Sequence, residues 1–388
     1  MLGAGIPTTP AEITPEWLTA ALRANRPNLR ARVLAVEWQT IGEERGFTGV
    51  VARLTPRYEE EVTDGNAPSS LIAKFPLVER NHQSAYRATK GQALDARRAY
   101  YARCAGEVRF YREIAPHDAL PTPRCYFAGA DETARSILML LEDLHTARGG
   151  DVLAGCSPAE AASVLAPLAG FHARWWHTRE FPPFAWLPRW SDSNTARQER
   201  YAKQMPSFLA RFGAQLPGEI GDIVERLAPT YGAVLAALDT APTTIIHADL
   251  HLDNILFTEA GSATAALLID WQSVCIGPAA LDFSLFTVGS LSPEERSIAG
   301  ESLLLRYHAT LVANDVHDYP LDAFRNDCRL ALLQQLAGTV NWLGSVDLNT
   351  LAGRERQIVD ATLGDGRLIA ALRDDDAAGL LRDIAKGR

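Results

Sequence analysis

The chain of 388 residues has no pair of cysteines at metal or redox spacing. Its five cysteines, Cys104, Cys125, Cys156, Cys275 and Cys328, are scattered, odd in number and free of any C-x-x-C. That excludes a disulfide framework and a cysteine zinc site, and implies reduced thiols in a cytoplasmic protein. No apolar run is long enough to cross a bilayer, and no basic segment leads into an apolar one near the start, so no membrane association is expected. Positive charge is not in excess either: 38 Lys and Arg stand against 47 Asp and Glu, a net charge of −9. Phosphate backbones select for basic faces, so nucleic acid is not an expected partner. Internal repeats and low-complexity tracts are also missing. What remains is an ordinary globular composition, 47% hydrophobic and 22% charged, with length for two lobes or domains.

The most informative stretch is Ile245 to Phe257, IIHADLHLDNILF. Two apolar residues lead into His247, Asp249, His251, Asp253 and Asn254, and the chain then turns apolar again. A packed strand has no use for five such polar side chains. A loop between two buried strands, presenting a carboxylate and an amide to a ligand, does. Shortly after, the apolar run Ala265 to Ile269 ends in Asp270-Trp271-Gln272. A carboxylate capping a buried strand costs desolvation unless a cation, often a metal ion, meets it.

An Asp followed five positions later by Asn, then an Asp closing the next strand, is the catalytic-loop and metal-loop arrangement of kinases. The local wording is not that of a protein kinase: His247-Ala248-Asp249 lacks the Arg, and Asp270-Trp271-Gln272 lacks the Gly after the aromatic. H-x-D-x-H-x-x-N followed by I-D-W-Q resembles the aminoglycoside phosphotransferase and choline kinase family of small-molecule kinases. The Gln after the aromatic makes it most similar to the ecdysteroid-kinase-like branch. Ala248 departs from the family, which usually has Gly there; a positive φ at this point would strain Ala.

The resemblance implies an α+β, protein-kinase-like two-lobe fold. Residues 1–141 would form a nucleotide-binding lobe, a small antiparallel sheet with one long helix. Residues 142–388 would form a mainly helical lobe carrying the catalytic and metal loops and the acceptor site. It implies Asp249 as the catalytic carboxylate, Asn254 and Asp270 as magnesium ligands, His247 and His251 as supports of the loop, and Asp282, the D of G-x-x-x-x-D, as its brace. The donor would be ATP, with GTP open, and the acceptor a hydroxyl group of a small molecule.

The N-terminal half reads in the order such a fold requires. Thr14-Pro15-Glu16 opens a short helix over 14–25. Strands are expected at Ala31 to Ile41, Phe47 to Leu54 and Ser70 to Phe75, with the glycine-bearing tip Gly42 to Gly49, Gly46 included, placed to approach phosphates. Lys74 lies inside the third strand; read alone it would point to solvent, and in the kinase pattern it pairs with phosphates and with a helix glutamate. In the helix expected over Gln92 to Ile114, Glu107 shares a face with Phe110, Tyr111 and Ile114, whereas Glu113 lies about 140° further round at ~100° per residue. Lys74 is therefore matched with Glu107. Strands Arg124 to Ala128 and Ser136 to Leu141, joined by a turn over 129–132, lead to a hinge at Leu140 to Asp143, with Glu142 at the adenine site. The rest reads as helical: from the capping box Ser157-Pro158-Ala159-Glu160 to about His177, then Thr195 to Phe212, Gly218 to Leu238, Leu321 to Leu343 and Glu355 to Leu372, with a second capping box at Ser292 to Glu295. The aromatic stretch Trp175 to Trp190 reads as a packed corner, with a substrate wall as the alternative.

Two rival readings stay open on sequence. His247, Asp249, His251 and Asp253 alternate along an extended segment, as the ligands of a metal-dependent hydrolase would. A nucleotide-binding pseudokinase is the other.

Overall fold

The computed structural model describes residues 5–25, 31–42, 49–59, 67–76, 90–177, 184–260, 263–351, 353–364 and 366–387. Two interleaved units emerge from its contacts. One takes in the chain up to His117, Thr122–Thr146 and Asp270–Gln272; the other takes in Asp118–Pro121, Ala147–Ile269 and the chain from Ser273 onward.

The first unit contains α1 (Pro15–Asn25), β1 (Val33–Ile41), β2 (Gly49–Tyr58), β3 (Leu71–Pro76), α2 (Lys90–Arg109), β4 (Cys125–Asp131) and β5 (Ser136–Glu142). Its five strands lie in the order β1-β2-β3-β5-β4, every neighbouring pair antiparallel. Thr14 caps α1 through its hydroxyl, which accepts the Trp17 N–H at 3.2 Å. Trp17, Leu18 and Leu22 then pack with Leu71, Ala73 and Phe75 of β3 in one buried cluster. Strand alternation turns Lys74 away from that cluster, onto the opposite face. β5 is buried at every position but its last.

Two strands run longer than the sequence indicates. β2 continues to Tyr58 because it pairs with the whole of β1, as far as Val33. Pro56 is tolerated there because β3 pairs with β2 only as far as Leu54, leaving one edge without ladder bonds. β4 continues through Gly129 and Ala130 to Asp131, so the turn falls at 132–135 instead of 129–132. The Asp131 carboxylate fixes it by accepting the N–H groups of Thr133 and Ala134, each at 2.9 Å.

The second unit contains β6 (Arg148–Gly149), α3 (Pro158–Arg174), α4 (Asn194–Phe212), α5 (Gly218–Thr240), β7 (Thr243–Ile246), β8 (Ile255–Ala260), β9 (Ala263–Leu268), β10 (Cys275–Pro278), α6 (Ala279–Ser290), α7 (Pro293–Ala313), α8 (Leu321–Ser345), α9 (Gly353–Gly364), α10 (Arg367–Asp374) and α11 (Ala377–Ala385). Both expected capping boxes form, Ser157 with Glu160 and Ser292 with Glu295. The single helix expected over Glu355 to Leu372 is two helices, α9 and α10, because Gly366 takes a φ of +73° before α10. The core is built on α4, α5 and α8. Antiparallel pairs β7–β10 and β8–β9 hold the polar loop between them. Among the described residues no helix is long and apolar enough to cross a membrane.

Candidate active site

Strand β7 is buried throughout and delivers the chain into His247. The His247 ring nitrogen Nε2 lies 2.9 Å from the carbonyl of Ile269, tying the loop to the end of β9. The main chain is held by Asp282 in the first turn of α6. One carboxylate oxygen accepts the His247 N–H at 2.7 Å and the other the Ala248 N–H at 2.8 Å. Asp282 has no exposed surface. Burial alone would push its carboxyl up, but His172, His247 and the loop amide outweigh burial and hold it below the usual carboxylate range. His172 Nε2 is 3.4 Å from Asp282 Oδ2, and its Nδ1 bonds the Tyr307 hydroxyl.

The turn that Asp282 grips is left-handed: Ala248 has φ +61°. Only glycine takes this region without strain, and a Cβ there costs about 1–2 kcal/mol. Ala248→Gly is therefore expected to stabilise the protein by about 1 kcal/mol and to raise Tm by about 1–3 °C. Urea denaturation checks this, and a variant no more stable than the parent would mean that the loop stores no strain at Ala248.

The Asp249 carbonyl is held twice, by the His251 N–H at 3.1 Å and by the Asn254 Nδ2 at 2.9 Å. Asn254 Nδ2 also lies 3.1 Å from His251 Nε2. These bonds occupy the nitrogen end of the amide; among the described residues Asn254 Oδ1 accepts none. The Asp249 carboxylate is 40% exposed, 3.7 Å from His251 Nε2, and lines a cavity of about 490 Å³ within this unit. Asp253 is turned to other work: its Oδ1 accepts the Val152 N–H at 3.1 Å and Arg354 at 2.7 Å, and Arg354 also bonds Asp151 at 2.9 Å. With His247 on a carbonyl and Asp253 on a guanidinium, the shared metal shell of the hydrolase reading does not form. Among the described residues no three His, Cys, Asp or Glu side chains are grouped to hold a metal.

In the first unit Lys74 Nζ meets both Glu107 oxygens, at 2.9 and 2.8 Å, and Asp270 Oδ1 at 2.6 Å. Glu113 pairs with Arg109 instead, at 2.8 Å. Burial would lower the Lys74 ammonium, but the two carboxylates overcome it and hold the group above its ordinary range, so it is a fixed cation. Glu107, Phe110, Tyr111 and Ile114 are all buried. The end of α2 widens into a π-turn over Phe110–Ile114, and Phe110 stacks on Trp271 with centroids 3.9 Å apart and planes within 7°. That stack fixes the residue after Asp270, which itself has φ +64°. Gln272 Nε2 donates to Asp270 Oδ2 at 3.3 Å.

Glu142 ends β5 with its N–H donated to the Arg124 carbonyl at 2.8 Å and its carboxylate accepting the Arg124 N–H at 3.1 Å. Asp143 next to it is bound by Arg53 at 2.7 and 3.2 Å. Gly46 lies outside the described residues. The structure thus brings together Lys74, Glu107 and Asp270 in one unit, and His247, Asp249, His251, Asn254 and Asp282 in the other.

A family model described as the phosphotransferase enzyme family matches residues 61–313, well over half of the chain. The chain belongs to that family. It is accordingly a small-molecule kinase, and the match singles out no branch, the ecdysteroid-kinase-like one included. No curated protein sequence matches this phosphotransferase. Solved structures do, at low identity. Amicoumacin kinase hAmiN, in complex with AMP-PNP, Ca2+ and Ami, is 12% identical over 85% of this chain and 87% of its own, with a TM-score of 0.50. Choline kinase from Cryptosporidium parvum is 12% identical over 90% and 93%, with a TM-score of 0.49. An aminoglycoside phosphotransferase from Alicyclobacillus acidocaldarius is 15% identical over 88% and 92%, with a TM-score of 0.47. The likeness to the amicoumacin kinase concerns the protein-kinase-like fold and not the substrate.

Several supports of the phosphotransferase loop are not evident in its sequence. His172 and Tyr307 back Asp282 from α3 and α7; the available signal was a histidine on the apolar face of α3, which is easily taken for a helix-end residue. Arg354 holds Asp253 and Asp151 from α9. The aromatic stretch divides its work: Trp175 donates to Asp118 at 2.9 Å and packs on Phe184, whereas Trp190 lines the cavity with Asp249.

Proposed function

We propose that this phosphotransferase acts in the cytoplasm and moves the γ-phosphoryl group of ATP, as its magnesium complex, to a hydroxyl group of a small molecule. The observation that carries the reading is the triad Lys74–Glu107–Asp270, in which residues far apart in sequence hold one cation beside one metal-type carboxylate. Phosphoryl transfer depends on charge neutralisation and alignment more than on covalent chemistry. Lys74, steadied by Glu107, places positive charge on the nucleotide phosphates. The Asn254 amide oxygen and the Asp270 carboxylate are hard donors that suit magnesium, which is held by one or two protein oxygens together with phosphates and water. A magnesium ion, when bound, would neutralise charge on the phosphates. Asp249 accepts the proton of the attacking hydroxyl. The main chain around Glu142 reads the adenine edge. Since the Glu142 N–H is committed to Arg124, donors to adenine come from the residues that follow it.

The test is transfer of labelled γ-phosphate from ATP, and separately from GTP, to a panel of hydroxyl compounds. Incorporation into an acceptor that depends on magnesium and Lys74 supports the reading; absence of transfer from both nucleotides overturns it. Asp270→Ala is expected to weaken magnesium-dependent nucleotide binding by about 10- to 100-fold, read by titration calorimetry with and without the metal. Binding of parental strength would remove Asp270 from the metal site.

A further inference from the structure

The described residues that line the cavity beside Asp249 all belong to the second unit, and they restrict what an acceptor can be. At about 490 Å³ it has the size of a pocket for a drug-sized molecule. One wall is a face of α8: Ala331, Gln334, Gln335, Gly338, Thr339 and Trp342 recur at helical spacing and carry no charge. Leu281, Leu285 and Val288 from α6 and Ile358 and Leu368 from α9 and α10 add hydrocarbon to the lining, beside Thr362 and Arg367.

The ionisable groups decide the charge. Among the described residues, Asp249, His251, Asp282 and Arg367 are the ones that line the cavity. Asp282 is fully buried and committed to the loop N–H groups. Arg367 is a cation, with donors directed to the carbonyls of Val152 at 2.7 Å and Gly289 at 2.9 Å. Asp249 is therefore the one carboxylate with exposed oxygen for a ligand among these groups. An ammonium taken from water needs a paired anion, and a molecule with several would leave all but one unmatched. A quaternary ammonium needs aromatic faces instead. Of the two indoles here, Trp190 already carries the Arg197 guanidinium 3.9 Å from its ring centroid, which leaves Trp342.

The polar groups of the α8 wall are amides and a hydroxyl. Gln334 accepts from the Tyr231 hydroxyl. Gln335 Oε1 is itself buried and presents no surface to a molecule in the cavity.

Resting on the kinase reading above, we infer that the acceptor is an uncharged alcohol with a largely hydrocarbon body. Gly338 provides an independent handle, because a Cβ added there meets nothing within 4 Å. A larger side chain at that point enters the cavity without disturbing the fold.

Equilibrium dialysis with menthol, estradiol, choline and kanamycin, each in the presence of magnesium and AMP-PNP, tests the inference alongside labelled-phosphate transfer. Saturable binding of a neutral alcohol and none of choline or kanamycin is the expected result. Gly338→Leu should weaken that binding at least about tenfold with nucleotide affinity unchanged. Preferred binding or phosphorylation of choline or kanamycin overturns the inference while leaving the kinase reading intact. So does the absence of binding by both neutral alcohols, or neutral-alcohol binding that Gly338→Leu does not change. Neutral-alcohol binding without phosphate transfer from either nucleotide to any acceptor overturns the kinase reading and supports the pocket.

Discussion

Asp249→Asn is expected to slow phosphoryl transfer by about a thousandfold, in the range that removal of a general base produces, with nucleotide binding left near the parental value. The substitution keeps the shape of the side chain and removes only its capacity to take a proton. The loop does not rely on the carboxylate: it is held through the Asp249 carbonyl, by His251 N–H and Asn254 Nδ2, and through the preceding N–H groups, by Asp282. Single-turnover transfer and nucleotide titration, done on the same preparation, separate the two effects. A variant that transfers phosphate at the parental rate would remove Asp249 from the chemistry. A loss of nucleotide binding as large as the loss of transfer would make it a binding residue instead.

Lys74 shows why parts of this site are readable from sequence. The chain has only four lysines, at 74, 90, 203 and 386. One of them, between Ala73 and Phe75 in a run that alternates into the core, has to find an anion on the other face of the sheet. The helical period then selects between two glutamates, because Glu107 falls with Phe110, Tyr111 and Ile114. The loop was readable for a similar reason, since polar side chains crowded between two buried strands have little structural use. What could not be read was everything decided by meetings between distant elements. Pro56 gave no sign that one edge of β2 would lie beyond the end of β3. Gly366 broke a helix pattern whose apolar spacing runs on without interruption. The cavity lining comes from helices whose apolar and amide residues look like ordinary packing in the sequence. His172 found its partners from α3 to α7 and α6, a contact with no local pattern at all.

Asp282→Ala is expected to destabilise the second unit by about 3–5 kcal/mol, the cost of removing one partner from a buried charged network. The change strands the N–H groups of His247 and Ala248 and leaves His172 beside a void. It also releases the left-handed turn at Ala248, so the loop should open before the rest of the unit and exchange its amide protons faster. Asp282→Asn keeps one acceptor and nearly the same volume, and its smaller loss isolates the charge. The sign of the pH dependence follows from the depressed carboxyl. Between the folded and unfolded pKa values the unfolded chain binds the extra proton, so folding stability from this group rises with pH there. The contribution is complete above the unfolded value of about 3.9 and disappears as pH falls through the lower folded value. The stability gap between parent and Asp282→Asn should therefore be level from neutral pH down to about pH 5 and close only in more acid solution. His172 from α3, His247 on the loop and Tyr307 from α7 face the same carboxylate, and a gap that changes steeply between pH 6 and 8 would assign the interaction to histidine titration. Urea unfolding from pH 8 down into acid distinguishes the two, and a gap that never closes in acid would show that Asp282 holds the loop by shape alone.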